Sequence, residues 1–220
     1  MTPETVAAVI TAAGTLVLAL ATFNATRSAT RATRIAERSL LASLRPLLVH
    51  AQLGDPRQKI AFADDHWVHV DGPQAIFDVT DDAIYLAFGL RNVGSGIGII
   101  QAWYPNPGRE SGADHRPIAE FRPQIRALYV PPGGLGFWQG ALRDRDEQVY
   151  ASFETAASEH QPVTIDLLYS DQNGGQRTIT RLLILPSPTD HETAPGGADQ
   201  PVRWIASMRN HWPVDDHAAN

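Results

Sequence analysis

Three constellations carry residue types and spacings that could do chemistry. Gly94-Ser95-Gly96-Ile97-Gly98 has the outline of a phosphate-cradling glycine loop, Asp171-Gln172-Asn173 opens like a calcium loop, and His66 and His69 stand three apart. Each fails on its context. A phosphate loop needs a following helix whose first N–H groups face the anion, whereas β-type Ile99-Ile100 follows here. These glycines therefore predict a tight turn between strands. The calcium reading lacks oxygen ligands at Gly175 and Gln176 and the closing bidentate glutamate, which leaves a hairpin turn. On a strand, residues three apart point to opposite faces, so His66 and His69 do not share a metal. His50, His115, His160, His191, His211 and His217 are scattered, and Asp64-Asp65 and Asp81-Asp82 fall in turn-like, solvated contexts. No HExxH, GxSxG or Walker-type motif occurs. No catalytic, metal or cofactor-binding residue is assigned, and no cofactor is expected. Trp67, Trp103, Tyr104 and Trp138 would suit a sugar-stacking platform if the body lay outside the cell; packing in the core or at its rim is the expectation.

Composition narrows the classes further. The 220 residues are 43% hydrophobic, enough for a real core, and include no Cys, so disulfides, thiolate chemistry and Cys-type zinc sites are excluded. Charge is divided along the chain. Residues 1–46 carry five Arg against Glu4 and Glu37, a net +3, and the remainder carries 13 basic and 22 acidic residues, a net −9. An acidic body of this kind disfavours nucleic acid as a partner.

The elements that would position any site begin with a helix. Val6 to Phe23 is eighteen residues without a charge, long enough to span roughly 27 Å. Its apolar side chains favour insertion by on the order of 2 to 5 kcal/mol. A transmembrane helix over 1–23 is expected, with a cleaved signal peptide (Ala19-Leu20-Ala21 as its site) and a buried core helix as competitors. Arg27, Arg31, Arg34 and Arg38 follow, within about 40° of one helix direction. The positive-inside rule then places the N-terminus outside and the rest in the cytoplasm, with these arginines at the membrane surface. The juxtamembrane helix, 24–45, is ended by Arg45-Pro46. A seam of mostly small residues, Ala7, Thr11, Gly14, Leu18, Ala21, Ala25, Ser28, Ala32, Ile35 and Ser39, runs through both segments and suits homo-oligomerisation by close helix approach.

Residues 46–186 read as mainly β. Strands are expected at Pro46–Leu53, Trp67–Val70, Ala75–Val79, Ala83–Asn92, Ile97–Tyr104, Glu147–Phe153, Pro162–Ser170 and Arg177–Leu185. Ile84, Leu86, Phe88 and Leu90 share one face, as do Ile97, Ile99 and Trp103. Asn106 to Gly140 reads as a long loop with a short strand at Ala127–Val130, and 187–200 as a linker. Without convincing helices between strands, the pattern predicts an antiparallel β-sandwich. In the C-terminal segment, 201–220, Trp204 and Met208 at i and i+4, with Trp212 nearby, predict a short amphipathic helix that docks on the body or binds a partner.

Arg45-Pro46-Leu47-Leu48 and Leu90-Arg91-Asn92-Val93-Gly94-Ser95-Gly96 are the elements through which residues 5–186 resemble a class of actinobacterial-type single-pass membrane proteins. The body also resembles immunoglobulin-like bacterial modules, where an Asn-x-Gly turn follows a core strand. These likenesses imply architecture and no activity. The expected function is a membrane-anchored, non-enzymatic adaptor whose partners are membrane lipids and a protein. The alternative is an envelope-side carbohydrate-binding module or hydrolase.

Overall fold

The computed structural model describes residues 3–187 and 202–214, apart from the side chains of residues 5–11, 38 and 41. The chain divides into two compact units, Met1–Ser43 and Leu44–Asn220.

The first unit is one helix, α1 (Pro3–Ser43), which runs through Asn24 and joins the segments expected at 1–23 and 24–45. Proline suits the opening turn, where its missing N–H costs nothing. Thr22, Thr26, Thr30 and Thr33 each donate their hydroxyl to the carbonyl four residues back, at 2.8 to 3.0 Å, so these polar groups are satisfied without water. The helix stops ahead of Pro46, whose ring disfavours a helical Arg45. Among the described residues no helix is long and apolar enough to cross a membrane. Val6 to Thr11, part of the span expected over 1–23, lie outside the described side chains.

The second unit is built from β1 (Leu48–His50), β2 (Gln58–Ala61), β3 (Trp67–Val70), β4 (Gln74–Val79), β5 (Ile84–Asn92), β6 (Gly98–Asn106), β7 (Arg122–Val130), β8 (Leu135–Leu142), α2 (Gln148–Ser158), β9 (Val163–Ser170), β10 (Arg177–Pro186) and β11 (Trp204–Pro213). Nine of these strands form one antiparallel sheet in the order β1-β5-β4-β11-β10-β9-β6-β7, with β8 also on β5. β8 runs the length of β5, while β4 pairs with Ile84–Phe88 and β1 with Leu90–Asn92. The sheet curls until its ends meet, where Gln124 Nε2 of β7 donates to Gln139 O of β8 at 2.9 Å. Its inner face encloses the main core, including Ile84, Leu86, Phe88, Leu90, Trp138, Ile165 and Tyr169. The β2–β3 hairpin forms a separate two-stranded layer that packs Ile60, Val68 and Val70 against Ala83, Tyr85 and Ala87 of the β4–β5 region.

Four local expectations are corrected. Glu147–Phe153 is not a strand: α2 begins at Gln148 and buries Tyr150, Phe153 and Ala156 at helical spacing, and the alternation of Val149, Ala151 and Phe153 is coincidental. Asn106–Gly140 is not mainly loop, because Arg122–Val130 and Leu135–Leu142 are strands, paired with β6 and β5 respectively. Ile97, Ile99 and Trp103 do not share a face, since a bulge between Ile100 and Ala102 turns Ile100 and Trp103 into the core. Trp204–Pro213 is a strand paired to β10, not a helix, because positions four apart share a face in either geometry. The expected linker lies outside the described residues beyond Ser187, as do residues 201 and 215–220.

One buried amide ties the body to the start of its chain. Asn92 is fully buried. Its Oδ1 accepts from Leu47 N (3.1 Å) and Gly94 N (3.0 Å), and its Nδ2 donates to Gly96 O (2.7 Å) and Val130 O (3.0 Å). Residues 44–47 lie so close to this turn that a Cβ at Gly94 would strike Arg45 O and one at Gly96 would strike Leu44 O. Both sequence elements behind the resemblance therefore meet at one point. Alongside, Leu48 N donates to Tyr169 OH at 3.2 Å, and Thr180 Oγ1 lies 3.0 Å from that hydroxyl and 2.7 Å from His211 Nδ1.

A second polar cluster straps the 107–121 loop over the opposite sheet face. Arg181 and Asp166 are buried and paired through two bonds, Nε–Oδ1 at 2.8 Å and Nη2–Oδ2 at 2.7 Å. Arg181 Nη1 reaches Gly112 O, and Thr164 Oγ1 binds both Gly108 O and Glu110 N.

Asn92→Ala leaves several buried groups unpaired and is expected to lower stability by about 2 to 4 kcal/mol, read as a reduced denaturation midpoint by tryptophan fluorescence. Arg181→Met strands the Asp166 charge and should cost about 3 to 5 kcal/mol, whereas Arg181→Met with Asp166→Leu should recover most of it. Additive losses in a double-mutant cycle would refute the pairing.

Candidate functional site

The residues singled out for chemistry stay apart. Among the described residues no group of His, Asp and Glu could hold a metal ion. Gly94–Gly96 form the turn between β5 and β6. Asp171 Oδ1 accepts from Gly175 N (2.9 Å) and Gln176 N (3.3 Å), so the would-be calcium loop spends its carboxylate on its own hairpin. Burial lowers the pKa of both His50 and His211 and favours their neutral forms. His191 and His217 lie outside the described residues. Trp103 and Trp138 are buried with ring centroids 5.2 Å apart, which removes them from any sugar platform.

The C-terminal aromatics also turn inward. Trp204 is buried against Phe77, with centroids 4.8 Å apart. Met208 N donates to His50 Nδ1 at 3.3 Å. The bulge opposite Arg181 and Leu182 reverses the strand's faces, so Trp212 joins the outer cluster with Phe121 and Ile179. There its Nε1 donates to Ala113 O at 2.7 Å, and the Arg181 guanidinium stands 4.9 Å over its ring. Trp204 and Trp212 thus pack on the body, and Met208 is half-buried on the same strand.

On α1, Arg27, Arg31 and Arg34 are exposed, as are Gly14, Leu18, Ala21, Ala25 and Ala32 of the small-residue seam. The side chains of Arg38, Ala7 and Thr11 lie outside the described residues.

The concavity that the fold does build lies where β4 leaves β11. β4 pairs with β11 only at Gln74 and Ala75, while β5 covers its other side from Ala75 to Val79. Ala206 N donates to Pro73 O at 2.9 Å, so odd-numbered residues of β4 direct their main-chain groups toward β11. Strict alternation aims those of Phe77 and Val79 the same way, where no strand of the described residues pairs with them. A groove of about 760 Å³ opens here, walled by Arg57, Trp67 and His69 on one side and Val202 to Trp204 on the other. A second concavity, about 370 Å³, lies between the same edge and α2. Trp67 is 53% exposed, and Lys59 Nζ sits 4.2 Å over its ring. Asp78 faces His66 Nε2 at 3.3 Å.

The hairpin wall is fastened from behind. Tyr85 OH donates to Asp64 Oδ2 at 2.6 Å, Arg143 Nη2 reaches the same oxygen at 2.7 Å, and the His66 ring stacks on Tyr85 at 4.0 Å. The Tyr85 hydrogen bond, aided by Arg143, holds the Asp64 carboxyl down at about 2. Sequence reading missed this site because Gln58–Ala61 is too short to show a period, and the free edge of β4 is set by strands distant in sequence.

A carboxyl depressed on folding contributes stability that is full above its unfolded value of 3.8 and is lost as pH falls through about 2. Asp64→Asn is therefore expected to lower stability at neutral pH and to flatten the acid limb of a pH–stability profile. An unchanged limb would refute this anchoring. Compared with known proteins, the chain matches no family model, no curated protein and no solved structure.

Proposed function

We propose that the protein is a membrane-anchored, non-enzymatic adaptor. In this reading α1 sits in a lipid bilayer with its arginines at the cytoplasmic leaflet. The β body, taken as an immunoglobulin-like sandwich, offers a strand edge to a protein partner. The observation that carries the proposal is the bareness of α1: Leu16, Val17, Leu18, Leu20 and Phe23 are 56% to 68% exposed. At 100° per residue these side chains spread over more than one side of the helix, so a single packed stripe would not cover them all. Lipid would. The uncharged run from Val6 to Phe23 supplies the length, and Arg27, Arg31 and Arg34 supply charge for anionic headgroups. An acidic body on a basic neck is repelled by such a surface while the neck is held to it. The small residues from Gly14 to Ala32 add a route to pairing with a second copy.

Fractionation of cells producing the full chain tests the anchor. It is expected in the membrane pellet after alkaline carbonate, released by detergent, with a reporter after Asn220 active in the cytoplasm. Recovery of the intact chain from a detergent-free aqueous extract would overturn the anchor. A reporter active only outside the cytoplasm would favour the envelope-side alternative.

A further inference from the structure

We infer that the free edge of β4 takes an extended, acidic segment of a partner protein as an added strand, with Arg57 and Lys59 receiving its carboxylates and Trp67 covering one of its side chains. This names the docking surface of the adaptor reading and rests on it.

The main chain sets the shape of the occupant. Phe77 and Val79 direct their N–H and C=O groups out of the sheet, about 6.8 Å apart along the strand. A chain in β conformation matches that spacing with its own donors and acceptors, as in strand addition to exposed edges. Edges not meant to pair are ordinarily blunted by proline, by lysine or by shortness. β7 carries Pro123 and Arg126, and β1 has three residues, whereas Ile76 to Val79 carry no proline and no basic residue, their one charge being Asp78 beside His66.

Charge sets its chemistry. The chain beyond residue 46 has a net charge of −9, yet this groove gathers Arg57, Arg203 and, at its rim, Lys59. Among the described residues neither Arg57 nor Lys59 has a carboxylate partner, and Lys59 rests on the Trp67 face. Of the two carboxylates in the groove, Asp78 lies 3.3 Å from His66 Nε2 and Asp71 is exposed. A segment with carboxylates on alternate residues would lay them toward the hairpin wall, where Arg57 and Lys59 are exposed to receive them.

The test uses the full chain in nanodiscs of zwitterionic lipid, which offers no competing anionic surface. The probe is a capped peptide of alternating Asp and Val, compared with its Lys-Val counterpart. The acidic peptide should bind at least about tenfold more tightly, and added salt should weaken it. Hydrogen exchange should slow at Phe77 and Val79. Arg57→Glu with Lys59→Glu, both exposed positions, should reverse the preference without altering the melting temperature. Equal affinity for the two peptides, no binding, or protection away from β4 would overturn the inference. So would protection of Phe77 and Val79 before any peptide is added, whether it is lost on deleting residues 190–199 or grows with protein concentration. Those two outcomes assign the edge to the chain's own segment or to a second copy. Because binding is read in nanodiscs and anchoring by cell fractionation, failure of one leaves the other measurable.

Discussion

The body depends on one side-chain amide that does the work of several main-chain bonds. Asn92 ends β5, faces the first residues of the unit, and sits beside the turn that joins β7 to β8. Four hydrogen bonds from one planar group fix three segments, at residues 47, 94–96 and 130, around the end of β5. Asparagine suits the position because it supplies two acceptors and two donors from a single uncharged end. Aspartate would lack the donors, and leucine would strand the main-chain groups of residues 47, 94, 96 and 130. The glycines follow from that arrangement, since only residues without a Cβ allow the incoming chain to lie so near the turn.

From this fixed point the remaining architecture follows. β5 is held on both edges, by β8 throughout and by β4 and β1 in succession. Because β1 takes the far end of β5, β4 is left to bridge toward β11, and it does so for two residues before the strands part. The groove is the geometric remainder of that division. The β2–β3 hairpin converts it from a bare edge into a walled channel, and the Tyr85–Asp64–Arg143 contacts hold the wall in place. Edge and wall are thus separate devices: a strand whose Phe77 and Val79 no strand of the described residues pairs, and a basic rim on an acidic body.

Much of the sheet was legible in the sequence where period two is uninterrupted. Ile84, Leu86, Phe88 and Leu90 do share the core face, as do Val163, Ile165, Leu167 and Tyr169, and Asp171 to Gly175 do form a hairpin. Legibility failed where a single inserted residue reverses the faces, at Gln101 and again at Arg209, because such insertions leave no mark in composition. It failed in β8 because Gly136 and Gly140 stand where side chains would strike Val130 and Trp138, which erases the alternation. The Trp204–Met208 spacing could not separate helix from strand. For the site, Trp67 was visible as an aromatic residue, but the unmet edge beside it arises from pairings between strands far apart in the chain.

The route by which the chain enters the body also bears on its mechanics. Tension applied through α1 would reach the β unit at residues 44–47, before any long ladder of strand pairs. There it would meet the Asn92 amide, the Val93 N to Leu47 O bond and the close seating over Gly94 and Gly96. Rupture would begin at this short clasp, while the long β9–β10–β11 ladder stayed intact. The neck is thereby the mechanical fuse of the molecule.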